Sequence, residues 1–510
     1  MIQEDKKYDF VIIGSGISGL VTATILAKNG YKVIVLEKNH QIGGAMQVFS
    51  RDKCVFDTGV HYIGGMDKGE NLNCFFKYLG IYDGLKLKRL DQEVFDMIGL
   101  SNGLNVKHGQ GYKNFTKGLK ESFPNDAVAI DQFCAKIQEI CTYFPLYNLQ
   151  VNGEKTYVTN PEILEVGAWD YVSSLTNNND LKIALLGSGV LYAGDAKTTP
   201  LYVVALIMNS FIKGSYRIED GGSQIAKLLV KQIRLYGGEV LKHKEIVAMN
   251  YGENKLISEV VCSDNSRYKA DHFISSIHPK RTIELAGTTH FFPAFVRRVE
   301  SMKNTVSCFS VYLSLKPQSF PYINHNFYDY FVEDGWNTVD YSLETWPQVI
   351  YVCTPAVSKD PNNAESIAVM AYMSIAEMDE WKNTFNTIAD QSERGERYEQ
   401  FKKEKEELVI QRLEKRFPDI RQAILNVYSS TPLTYKDYLG TPEGELYGVI
   451  KDYTNPQASI INTRTKVKNL FLTGQNIVFH GILGATVGAF VTSFNFVDNN
   501  RILEEVRKYE

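Results

Sequence analysis

The stretch that most constrains this chain is "YDFVIIGSGISGLVTATILAKNGYKVIVLE", residues 8 to 37. A short apolar run, "YDFVIIG", reads as a strand, "SGISGLVTATILAKNGY" has helical spacing, and "KVIVLE" reads as a second strand, so the unit is βαβ. Gly14, Gly16 and Gly19 form G-x-G-x-x-G at the strand-to-helix turn, with Ser15, Ile17 and Ser18 between them. The first glycine permits the tight turn, the second lets backbone approach a pyrophosphate, and the third lets the helix pack closely. The helix N-terminus then offers free N–H groups to phosphate. Glu37, followed by Lys38, closes the second strand about 20 residues after the turn, where a carboxylate accepts hydrogen bonds from a ribose diol and disfavours a 2′-phosphate.

A second glycine pair, Gly43 and Gly44 with Ala45 after them, lies just past this acid in "KNHQIGGAMQ". With the fingerprint, this pattern resembles the flavoprotein superfamily of amine oxidases and phytoene desaturases, whose E-x5-G-G signature wraps FAD. The resemblance implies FAD as cofactor and a Rossmann-like α/β cofactor lobe beside a second, substrate-binding lobe. It also implies a second cofactor element near the chain's end, and "VKNLFLTGQNIVFHGILGATVGAF" supplies strand, glycine turn and helix. Gly474 would end the strand. Gly481, Ile482 and Leu483 would open a helix whose amides face the flavin and stabilise negative charge on the reduced ring. Where the superfamily usually has Asp after the glycine, this chain has Gln475, which keeps hydrogen bonding and removes a charge.

Between these ends, "YRIEDGGSQIAKLLVKQIRLYGGEVLKHKEIVAMNY" reads as glycine turn, amphipathic helix with Ser223 as N-cap, and strand. It resembles the segment that returns to the cofactor lobe and presents backbone near Ile246 and Val247 to adenine. "KLISEVVCSDNSRYKADHFISSIHP" reads as a hairpin turning at Asp264 and Asn265. The cofactor lobe is therefore expected to be discontinuous, at 1–90, 216–290 and 430–510, leaving 91–215 and 291–429 for the substrate lobe. There, "LYVVALIMNSFIKGSY" and the aromatic "FPYINHNFYDYFVEDGW" are composed as expected for a sheath around a long apolar ligand, or for plain core. The run "ERGERYEQFKKEKEELVIQRLEKRF" reads as a solvated helix.

Charge and inventory exclude other classes. Lys and Arg number 55 against 59 Asp and Glu, a balance without the basic excess that nucleic-acid binding requires. Seven scattered cysteines contain no C-x-x-C pair, the nine histidines no H-E-x-x-H or H-x-H, and no G-x-S-x-G elbow is present. A metal site and a serine hydrolase are not expected. The starting segment "MIQEDKKYDF" lacks an apolar signal core and no apolar run is long enough to span a bilayer, so the expected setting is cytoplasmic and reducing. A peripheral membrane contact near 201–215 is a further expectation.

The stretch "FDTGVHYIGG", residues 56 to 65, narrows the resemblance. With "LTGQNIVFHGILGA" it looks most like the branch of retinol saturases and carotenoid isomerases, which act on conjugated polyenes. Gly59 and Val60 are then expected to pass beside the flavin, and His61, Tyr62 and His480 to flank the ring as candidates to donate a proton or orient a polyene. Saturation, desaturation and cis–trans isomerisation share every cofactor motif. A non-catalytic carrier of lipid or polyene, on the plan of the Rab GDP-dissociation inhibitors, is the alternative outside enzymes. NAD(P)H stands as a candidate electron donor, although the single dinucleotide fingerprint is already assigned to FAD.

Overall fold

Lys7–Ile13 runs through the middle of a sheet, as an apolar strand must, pairing in parallel with Val33–Leu36 on one side and Arg267–Ser275 on the other. The structure is a computed structural model describing residues 7–150, 158–334, 336–388 and 392–510. The first six residues, read above as lacking a signal core, lie outside the described residues. Glu239–Leu241 extends the parallel sheet beyond Val33–Leu36, and Leu470–Leu472 joins Arg267–Ser275 in parallel. Ile257–Cys262 and Ile246–Tyr251 continue it antiparallel. Three distant parts of the sequence thus build one sheet. The expected hairpin is present, with Asn265 in the left-handed region (φ 64°) that its short polar side chain tolerates.

The helix Ile17–Lys28 packs beside Gly481–Ser493, where the Ser18 hydroxyl donates to the Ala485 carbonyl at 2.9 Å. Both helices are buried almost all round, so they lack a polar face. The helix Ser223–Leu235 is in place, but Ser223 is its first helical residue and makes no cap. The capping position is Gly222, whose N–H donates to the Asp57 carboxylate at 2.7 Å, so an acid from the 56–65 stretch does the work expected of Ser223.

A second sheet runs in the order Ile424–Ser430, Ser307–Leu315, Ser366–Met373, Val349–Cys353, Asn326–Tyr330, Asp96–Gly99, Asn105–His108. All pairs are antiparallel except Asn326–Tyr330 with Asp96–Gly99. Its central strands are buried on both faces: Phe309, Val311 and Leu313 enter one apolar cluster, Cys308 and Tyr312 the other. The chain passes between the two sheets at the antiparallel pair Leu87–Arg89 and Tyr216–Ile218.

Leu201–Ile212 is a helix buried along most of its length. Gly395–Arg416 is the expected solvated helix, touching the core through Tyr398, Val409, Ile410 and Leu413. Among the described residues, no helix is long and apolar enough to cross a membrane.

Candidate cofactor cradle and substrate chamber

The three fingerprint glycines have three separate steric reasons. Gly14 has φ +91°, and a Cβ there would meet the Ser276 hydroxyl at 2.8 Å. A Cβ on Gly19 would lie 2.3 Å from the Gly14 carbonyl, which is the helix-on-strand closeness the pattern predicts. A Cβ on Gly16 would meet nothing within 4 Å, because it would project into an open cavity of about 330 Å³. Gly14, Ser15, Gly16, Ile17, Ser18, Glu37, Lys38, Gly43, Gly44 and Ala45 all line this cavity, as do Gly474 and Gln475.

Ser15 ties the cradle together. Glu37 Oε2 accepts from the Ser15 amide at 3.0 Å and from its hydroxyl, and that hydroxyl accepts from the Gly43 amide at 3.1 Å. Glu37 Oε1 accepts from the Asn39 amide at 2.9 Å and keeps a second lone pair for a ribose hydroxyl. Lys38 is directed elsewhere, its ammonium donating to the Asp437 carbonyl at 3.0 Å, and burial lowers its pKa. At the far wall Lys244, Glu245 and Ile246 line the cavity, whereas Val247, 48% exposed, does not; the alternation of the strand turns it to solvent. An open cradle with bare backbone at Gly16 and Gly481, and with helix N-termini and a carboxylate around it, fits a dinucleotide.

A larger chamber of about 660 Å³ adjoins the cradle, and the two share Gly59, Val60, Tyr447, Gly481 and Ile482. Helix Gly481–Ser493 starts at this junction with no side-chain cap, so its first amides are free to meet a ligand. Gly481 has φ +73° and open space where a Cβ would stand. Beyond the junction the walls are mostly apolar: Phe144, Leu191, Val203, Leu206, Ile207, Phe211, Phe479 and Leu483. The aromatic segment around 326 does not line the chamber. Its strand Asn326–Tyr330 stands behind it in the second sheet.

The structure separates the three candidate catalytic side chains. His480 lines the chamber, its ring 4.8 Å from that of Tyr447, and its Nε2 is buried without a partner. Burial and then the nearby Lys451 charge push its pKa down to about 3, so it is a neutral imidazole. Tyr62 also lines the chamber, but its hydroxyl donates to Asp96 Oδ2 at 2.8 Å and meets the Tyr328 hydroxyl at 2.6 Å. His61 is not among the lining residues of either cavity. Its ring lies 5.4 Å from Tyr351, and burial, with Arg217 nearby, lowers its pKa to about 4.

Behind Tyr62 lies a buried polar network absent from the sequence reading. Asp96 Oδ1 accepts from Asn326 Nδ2 at 2.8 Å, and Asn326 Oδ1 accepts from Arg217 Nη2 at 2.8 Å and Tyr351 Oη at 3.2 Å. Arg217, 1% exposed, also donates to Tyr322 Oη and to the Ile323 and His325 carbonyls. Burial raises the Asp96 carboxyl to about 7, against the pull of Asn326 and Tyr62. The one signal in the sequence was a carboxylate inside an apolar strand, "VFDMIG". Among the described residues, no group of three or more His, Cys, Asp or Glu is placed to hold a metal.

Comparison with known proteins agrees with this geometry. The NAD(P)-binding Rossmann-like domain family matches residues 12–79. All-trans-retinol 13,14-reductase of Danio rerio is 26% identical over 98% of this chain and 87% of its own length. Chloroplastic prolycopene isomerase of Daucus carota is 23% identical over 86% of this chain and 71% of its own. The solved structure of wild-type putrescine oxidase bound to putrescine is 14% identical with a TM-score of 0.65, covering 96% of this chain and 99% of that one, and shows the shared fold. In its cradle, its fold and over nearly its full length, the chain is similar to FAD-dependent desaturases and oxidases.

Proposed function

We propose that this protein is a flavin-dependent reductase of carbon–carbon double bonds in an apolar polyene of the retinoid or carotenoid class. The observation that carries this reading is the meeting of an apolar chamber with the dinucleotide cradle at Gly59, Val60, Tyr447, Gly481 and Ile482. FAD held in the cradle supplies the two-electron redox chemistry. The chain's own part is to sheathe the polyene, to exclude water and to provide a proton. Val203, Leu206, Ile207 and Phe211 do the first two, from a rigid buried helix. His480, a neutral imidazole at the junction with a free Nε2, orients a ligand by hydrogen bonding and is too weakly basic to carry a proton. Tyr62 is the proton-bearing group in the chamber wall. His61, outside the lining, packs against Tyr351 and takes no part in the proton transfer.

The likeness to prolycopene isomerase favours cis–trans isomerisation as the second reading. Anaerobic incubation of chemically reduced protein with retinoids and carotenoids, followed by mass analysis, decides between them. A gain of two hydrogens with reoxidised flavin is expected. An unchanged mass with altered geometry establishes isomerisation, and a loss of two hydrogens with oxidised flavin establishes desaturation. Purified protein that neither carries nor takes up FAD would make it a carrier. NAD(P)H is proposed as the electron donor, tested by anaerobic bleaching of the flavin. A peripheral membrane contact, suited to a substrate that partitions into lipid, is tested by co-sedimentation with liposomes.

A further inference from the structure

The second sheet brings four side chains onto one face in register. Asn326 stands opposite Asp96 in the parallel pair, and Tyr328 stands opposite Tyr351 in the adjoining antiparallel pair. Tyr62 reaches this face from the cofactor-flanking stretch, and Arg217 from the crossing strand Tyr216–Ile218. The bonding leaves little freedom in where hydrogens lie. Arg217 has no acceptor atom, so its contact fixes Oδ1 of Asn326 toward it, and the Asn326 amide hydrogens must face Asp96 Oδ1. Asp96 Oδ1 is therefore an acceptor. Any proton on this carboxyl sits on Oδ2, the oxygen 2.8 Å from the Tyr62 hydroxyl.

We infer that Asp96 is the proton reservoir behind Tyr62, an inference that rests on the reductase reading. With Asp96 protonated, Oδ2–H donates to the Tyr62 oxygen, freeing the tyrosine hydrogen from the carboxyl. As the polyene is reduced by the two-electron donor named above, the Tyr62 O–H bond breaks and a C–H bond forms at the carbon next to the one reduced. The Asp96 proton moves to the tyrosine oxygen in the same event. Tyrosine ends neutral and Asp96 ends as carboxylate, to be reprotonated from water between turnovers. Without the reservoir Tyr62 is a poor acid, since burial and the Asp96 charge hold its pKa well above the ordinary phenol value. With Asp96 ionised, Tyr62 donates into the carboxylate and its hydrogen is turned away from substrate.

The titratable and charged groups around Asp96 are Tyr62, Tyr328, Arg217 and the cross-strand His108, with Tyr351, His61 and Cys353 beyond them. His108 is held neutral by burial and bonds the Ala184 carbonyl. The carboxyl, raised to about 7, is thus the group of this set that changes charge near neutrality.

Asp96→Asn keeps the acceptor toward Asn326, turns an N–H₂ donor toward Tyr62 and removes the transferable proton. In flavin-loaded protein, single-turnover reoxidation by polyene is expected to slow about a hundredfold in D96N. The wild-type rate should fall as pH rises through about 7, and that limb should vanish in the variant. Independently of any substrate, infrared difference spectra of the wild type should show a carboxylic-acid band lost across the same pH range and missing in D96N. Should D96N not fold, Tyr62→Phe serves: the rate should fall as far, and the carboxylic-acid band should shift as its hydrogen-bond partner is lost. An unchanged rate and pH profile in the variants, or a carboxyl ionised throughout, overturns the inference. If no polyene is reduced but the band titrates as described, the reductase reading fails while the buried acid stands.

Discussion

Glu37 reaches back across the cradle to Ser15, accepting from both its amide and its hydroxyl, so the acid after the second strand and the glycine-rich turn are one unit. Replacing Glu37 with Gln puts an N–H₂ in place of one of the two carboxylate oxygens and removes the charge that orders the turn. Charge-assisted hydrogen bonds contribute about 1.5 to 3 kcal/mol each, so FAD affinity should drop at least tenfold. Titration of apoprotein with FAD, followed by flavin fluorescence, measures this. Equal affinity in the two proteins would detach Glu37 from cofactor binding.

Gly16 and Gly19 belong to one motif but should fail in different ways. A side chain at Gly16 enters open cavity from an ordinary backbone conformation (φ −63°), so Gly16→Val should leave the thermal midpoint nearly unchanged and abolish FAD uptake. A methyl at Gly19 strikes the Gly14 carbonyl at 2.3 Å, so Gly19→Ala should lower the midpoint by several degrees, in line with overpacking costs of about 1 to 3 kcal/mol. Thermal melts with flavin absorbance on the same samples separate the two. Full flavin content in the Gly16 variant would contradict the cradle.

The contrast between those glycines and the Asp96 network shows what a sequence reveals of such a site. Gly14, Gly16, Gly19, Glu37 and the 43–44 pair lie within one short segment, and their pattern is written in spacing that needs no knowledge of the rest of the chain. Asp96, Arg217 and Asn326 meet only because two sheets and a crossing strand fix their registers, and nothing near any of them in sequence announces the others. Ser223 shows the same limit on a smaller scale: a good capping residue was passed over because Asp57, far away in sequence, already satisfied the helix N-terminus. The apolar run at 201–212 was equally compatible with a membrane-facing surface and a chamber wall, since both demand the same side chains.

Ile207 is half-buried and faces the chamber from the helix Leu201–Ile212, clear of the cradle. Ile207→Trp should fill part of the 660 Å³ without touching cofactor residues. FAD content should match the wild type while polyene affinity falls about tenfold or more, the equivalent of about 1.4 kcal/mol of lost contact. Quenching of protein fluorescence by a bound polyene reports the affinity. Unaltered binding would move the substrate elsewhere.

His480 offers a test that needs no substrate at all. Its folded pKa of about 3 lies below the ordinary imidazole value of 6.5, so between these values the unfolded chain binds a proton that the folded protein refuses. The sign follows directly: stability present above about 6.5 is lost progressively as pH falls toward 3. His480→Gln removes this titration while keeping a polar side chain. Between pH 7 and pH 5 the wild type should lose up to about 2 kcal/mol relative to the variant, since each unit of pH in this window is worth about 1.4 kcal/mol. Urea unfolding of both proteins at the two pH values gives the difference. A gap that stays constant with pH would mean that His480 protonates freely in the folded protein, and would return it to the set of groups able to carry a proton at the chamber wall.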